Sequence, residues 1–101
     1  MQHIPNMIEL GGNIKLDGFH DIDPPSMIII KKLVGNYVKK IQEETPSFQE
    51  LLLHLGDVSE NAVQVNAHLT GAKKYAAQAS DVNLFFAIDK ALSQIMLEAK
   101  K

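Results

Sequence analysis

Cysteine, arginine and tryptophan are all missing from this 101-residue sequence. Without cysteine there is no disulfide scaffold, zinc knuckle, iron–sulfur site or thiol nucleophile. Without arginine the chain lacks the planar guanidinium that makes bidentate contacts with phosphate and guanine, which weighs against sequence-specific readout more than against loose phosphate contact. Apolar runs such as Met27 to Ile30 fall far below the roughly 20 residues needed to cross a bilayer. The opening MQHIPNMIEL has no basic start followed by an apolar core. Neither secretion nor membrane contact is expected, and the cytoplasm is the expected location.

The composition is that of a chain that folds on its own. At 11.2 kDa, with 46% hydrophobic and 22% charged residues, it is long enough to bury one core without staples and too short for two ordinary domains. Ten lysines against twelve acids leave a net charge of -2, so any affinity for a polyanion must come from local clustering.

Periodicity predicts the elements. Residues 1–13 are read as an N-terminal tail or an extra edge strand, Met7-Ile8-Glu9-Leu10 being their one alternating stretch before Gly11-Gly12-Asn13. A single α+β domain is expected over 14–101. Ile14-Lys15-Leu16-Asp17 alternates as a strand, and Pro24-Pro25-Ser26 opens a helix whose apolar residues Met27, Ile30, Val34, Tyr37 and Ile41 recur every three or four positions to Glu44. Strands are predicted over Phe48–Val58, Ala62–Thr70 and Lys74–Ala79, the last in spite of its alanines. A final helix follows an N-cap within Ser80 to Asn83, with Leu84, Ile88, Ala91, Leu92, Ile95 and Ala99 inward. The expected architecture is β-α-β-β-β-α, a four-stranded sheet with both helices on one face and the other face open. Matching the faces of the first hairpin sets Glu50 opposite His68 and His54 opposite Gln64.

No catalytic, cofactor or metal site emerges. His3, His20, His54 and His68 lie in a tail, a loop and two different strands, without metal-ligand spacing. Gly11-Gly12 precedes a strand and lacks the rest of either nucleotide fingerprint. Asp21 and Asp23 suit turn formation before Pro24, and an enzyme would need them to converge with His20 in a deep pocket. The informative charges are lysines. Lys31, Lys32, Lys39 and Lys40 lie on the first helix outside its apolar stripe, Lys90 lies on the outer side of the last helix, and Lys100 and Lys101 close the chain. Those of the first helix form a partial basic strip, with a solvated helix face as the alternative reading. Ile28 and Ile29 fall off the buried stripe of the first helix, and Phe86 and Leu97 share the outer side of the last. These four are the candidate protein-interaction residues, for a partner or a homodimer.

The stretch from Ile14 to Asp23 and the run Phe85-Phe86-Ala87-Ile88-Asp89-Lys90-Ala91-Leu92 resemble the ribosome hibernation promoting factor family. There a strand of the form I-x-I-x-G precedes a helix, three strands and a helix opening with aromatic-A-A-I-D. Gly18, Ala87, Ile88 and Asp89 stand at matching positions. The resemblance covers about residues 14 to 101 and implies a double-stranded-RNA-binding-like fold with an added first strand. It also implies a non-catalytic module of ribosomal RNA contact, its partner the small ribosomal subunit, reached through the lysines named above. The chain departs from that pattern with Phe86 in place of a small residue and with Gln94 and Leu97 where further basic residues stand.

Overall fold

The computed structural model describes residues 7–10, 13–59 and 61–100. Its elements are β1 (Met7–Leu10), β2 (Ile14–Asp17), α1 (Pro24–Glu44), β3 (Glu50–Val58), β4 (Val63–Thr70), β5 (Lys74–Asp81) and α2 (Leu84–Lys100). The strands form one sheet in the order β1-β2-β3-β4-β5. The expectation of four strands is corrected to five. Met7–Leu10 pairs antiparallel with β2, setting Ile8 beside Leu16 and Leu10 beside Ile14. Four residues are too little pattern to separate a strand from a tail, and it is the pairing with β2 that settles them as a strand.

β2 and β3 are parallel neighbours, and a parallel pair needs a crossover. Helix α1 provides it. Its first turn is set by Asp23, whose carboxylate accepts from the Ser26 backbone N–H at 3.1 Å while Pro24 and Pro25 occupy the positions that need no amide. β3, β4 and β5 then run antiparallel, and α2 returns over β4 and β5. Asn83 caps α2 by accepting from the Phe86 N–H at 3.1 Å.

One face of the sheet and the inner stripes of both helices make the core. Leu16, Leu51, Leu53, Val65, Ala67 and Leu69 from the strands meet Ile30, Val34 and Ile41 of α1 and Ala87, Ile88, Leu92 and Ile95 of α2, all fully or nearly fully buried. Phe19 joins them, against the alternation, which would send it to the open face. Gly18 accounts for this: at φ 85 it takes a backbone conformation that side-chain-bearing residues avoid, and it redirects the chain inward.

The first hairpin differs in register from the expected one. Glu50 lies opposite Thr70, Leu52 opposite His68 and His54 opposite Asn66, a slip of two residues. The cause is the hairpin end, where Ser59 N–H donates to Ala62 C=O at 2.9 Å and the ladder shifts between Leu55 and Val58. Because the slip is even, each side chain keeps its predicted face.

Candidate nucleic-acid interface

Helix α1 presents its lysines to solvent by simple geometry. Its buried residues Ile30, Val34, Val38 and Ile41 occupy one side, and at 100° per residue Lys32 and Lys39 fall within about 20° of each other on the opposite side, about 10 Å apart along the axis. Lys31 and Lys40 flank the stripe, and all four are exposed. The Lys40 ammonium also stands 5.9 Å from the centre of the Tyr37 ring, a cation–π arrangement that holds it on the α2 side. Glu43 follows Lys39 by one turn on the same side, so the cationic strip ends in acid.

The two helices are tied by Tyr37, whose hydroxyl donates to the Asp89 carboxylate at 2.6 Å. Burial raises the Tyr37 phenol, and the bond to Asp89 raises it further. Ala87 and Ile88 are buried, Gly18 is conformational and Asp89 holds Tyr37. The residues behind the family resemblance are therefore explained by folding alone.

Helix α2 presents a different outer face. Lys90, one of the sequence-predicted cations, donates to the Asp81 carboxylate at 2.7 Å, so its charge is balanced within the fold. That bond, then the backbone N–H of Asn83, holds Asp81 below the usual carboxylate range. Nothing in the sequence marks this pair, because the two residues lie nine positions apart in different elements. Lys101 lies outside the described residues, and of Lys100 only its place at the end of α2 is described. The structure thus groups Lys31, Lys32, Lys39 and Lys40 on one helix and sets Lys90 apart.

The four candidate interaction residues are half or more exposed: Ile28 57%, Ile29 50%, Phe86 61% and Leu97 56%. Val58 and Val82 belong with them and escaped sequence reasoning, since Val58 ends β3 and Val82 follows β5, where alternation gives out. Ile28 and Ile29 occupy the first turns of α1, just before the lysines, whereas Phe86 and Leu97 lie on α2.

The open face of the sheet is polar and internally paired. The Lys15 ammonium meets Glu50 at 2.9 Å, which raises the lysine through that hydrogen bond first and the charge of Glu50 second. His54 Nδ1 lies 2.7 Å from Asp17. A shallow depression of about 280 Å³ is lined by Asn66, His68, Ala76, Ala77 and Gln78 and brings no carboxylate to its imidazole. His20 and Asp21 stand 3.4 Å apart in solvent, while Asp23 caps α1. Among the described residues no group of three or more His, Asp or Glu side chains is placed to hold a metal ion, and no helix is long and apolar enough to cross a membrane.

No protein-family model and no curated protein matches the chain. Solved structures do. A ribosomal subunit interface protein from Coxiella burnetii superposes with a TM-score of 0.61 at 16% identity, over 88% of this chain and 97% of that one. The Protein Y N-terminal domain of Thermus thermophilus superposes with a TM-score of 0.56 at 15% identity, over 71% of this chain and 80% of that one. The chain shares their fold. At such identity the likeness concerns the backbone, and the surface chemistry of this chain stands on its own residues.

Proposed function

We propose that this chain is a non-catalytic, ribosome-associated module that contacts ribosomal RNA on the small subunit through helix lysines. The observation that carries the reading is the pairing of two features. The fold is shared with a protein described as a ribosomal subunit interface protein, and the exposed side of α1 concentrates four of the ten lysines of a net-acidic chain. Lys32 and Lys39 lie at the centre of that surface, with Lys31 and Lys40 at its margins. Lys90 and Lys100 of α2, and Lys101 after them in the sequence, would add to it, Lys90 only by exchanging Asp81 for phosphate.

Such contacts are electrostatic and independent of sequence, so affinity must fall with salt. With three or four phosphates neutralised, a tenfold rise in salt lowers affinity by about two to three orders of magnitude. Co-sedimentation with small ribosomal subunits at low and high salt tests this directly. Loss of binding with salt, and its abolition by Lys32→Glu, Lys39→Glu and Lys90→Glu combined in a protein of unchanged circular dichroism, is the expected result. Binding that ignores both would sink the lysine surface.

The second reading is a protein-interaction module that kept the fold without RNA binding. Exposure of Ile28, Ile29, Phe86 and Leu97 favours it. Absence of binding to subunits at low salt, with self-association or a heteromer lost on Phe86→Lys, would select it.

A further inference from the structure

Strand β5 is the outermost strand on its side of the sheet. Among the described residues it pairs only with β4, so every second residue turns its N–H and C=O outward, away from β4. Edges of this length are ordinarily blunted by proline, a bulge or a charge in mid-strand. β5 has none of these. Its eight residues run Lys-Tyr-Ala-Ala-Gln-Ala-Ser-Asp, and their register with β4 is unbroken from Lys74 to Asp81.

The charge pattern identifies what fits this edge. Lysine stands at one end and aspartate at the other, so an antiparallel copy of β5 brings unlike ends together, whereas a parallel copy stacks Lys74 on Lys74. Continuing the sheet with both open faces on one side requires even residues to oppose even ones, so the two-fold axis passes through a residue, and the residues that centre the strand and overlap the most of it are Ala77 and Gln78. With the axis at Ala77, Lys73 faces Asp81 and Ala76 faces Gln78. With the axis at Gln78, Tyr75 faces Asp81 and Ala76 faces Ser80. Neither arrangement opposes like charges, and both centre on small or neutral side chains.

A second feature adjoins the same edge. The Lys90–Asp81 bond at 2.7 Å fixes one flank of α2 as overlooking β5. Phe86 and Leu97 lie within about 40° of Lys90 in helical projection, and Val82, 75% exposed, follows the end of the strand. Of these, Val82 adjoins the open edge, whereas Phe86 and Leu97 stand on the outer side of α2, away from the sheet. We propose that β5 is the interface with a second copy of this chain, the two sheets joining antiparallel across a two-fold axis at Ala77 or Gln78. The lysines of α1 stay outside this contact, so the proposal stands or falls independently of ribosome binding.

Sedimentation equilibrium of the full chain over a concentration series tests it. The mass is expected to rise from 11.2 kDa toward twice that value and no further, as a closed two-fold contact requires. The double variant Ala76→Lys, Gln78→Lys changes two exposed side chains on the open face and sets lysine against lysine in either arrangement. Its dissociation constant should rise by at least about tenfold. A wild-type chain that stays monomeric at every concentration, a mass that grows past the dimer, or a variant that dimerises as tightly would each overturn the proposal. Should the variant not fold, amide exchange of wild-type residues 74–81 decides: protection that grows with concentration supports the interface, and protection that does not grow refutes it.

Discussion

The two helices have the same inner task and, beyond the exposed Ile28 and Ile29 at the start of α1, different outer chemistry. Ile30, Val34, Val38 and Ile41 of α1 and Ala87, Ile88, Ala91, Leu92 and Ile95 of α2 seal one core. Outward, α1 shows four lysines, and α2 shows Phe86 and Leu97 beside a lysine already held by Asp81. The core fixes only which side of a helix faces in, and it leaves the outer side free to specialise. Shared fold therefore says little about shared binding, and the outer sides have to be tested one helix at a time.

The largest expected effects come from the inner sides, where the helices should answer alike. Ile30→Ala and Ile88→Ala each remove a fully buried side chain and should each cost about 2–5 kcal/mol of unfolding free energy, read by urea denaturation. A variant that loses much less would show that its helix is loosely docked, and the comparison of outer faces would then rest on unequal scaffolds.

The outer sides should answer differently. Lys32→Glu with Lys39→Glu is expected to weaken small-subunit binding by about a hundredfold and to flatten its salt dependence by about one unit of slope per lysine. Lys90→Glu should change binding by less than about threefold, because Lys90 already neutralises Asp81 in an exposed pair. Titration of labelled protein against subunits measures both. Equal losses from the two helices would erase the distinction between them.

Much of this contrast was legible in the sequence, because helical periodicity reports which side faces in and so which side faces out. The exposure of the α1 lysines and of Phe86 and Leu97 follows from that alone. Other features were not legible, for physical reasons. The slip of the β3–β4 register by two residues depends on the turn at Ser59 and the irregularity before Val58, which alternation does not encode. Phe19 is turned inward by the conformation of Gly18, and β1 became a strand only by pairing with β2. The partnership of Lys90 with Asp81 needs the angle between a strand and the helix after it. Pairings between elements decide the sheet register and the state of Lys90, and they are what local pattern cannot supply.

Smaller effects sharpen the comparison at the helix starts and at the contact between the helices. Asn83→Ala removes the acceptor for the Phe86 N–H and should cost about 1 kcal/mol. Tyr37→Phe removes the donor to Asp89, a partly exposed bond worth about 1 kcal/mol or less. Thermal unfolding of the two variants, alone and combined, checks whether they act independently, as residues on separate contacts should.

The smallest expected effect is a dependence on acid. Asp81 is lowered by its bond to Lys90 first and by the Asn83 N–H second, and Asp23 is lowered by the Ser26 hydroxyl first and the Ser26 N–H second. A carboxylate lowered in the folded state contributes stability that is present above its unfolded value and lost as pH falls through the folded one. Both helix starts should therefore weaken on acidification, below the pH at which an ordinary aspartate titrates. The helices differ in the consequence. At α1 protonation weakens the cap itself, whereas at α2 it loosens the turn that holds the Asn83 cap and releases Lys90 from its partner. Asp81→Asn should abolish the α2 share of the acid dependence and strengthen low-salt subunit binding at neutral pH, since Lys90 becomes available to phosphate. Asp23→Asn should reduce the acid dependence and leave binding unchanged. If both variants leave binding alone, Lys90 lies outside the RNA contact and the cationic surface is that of α1.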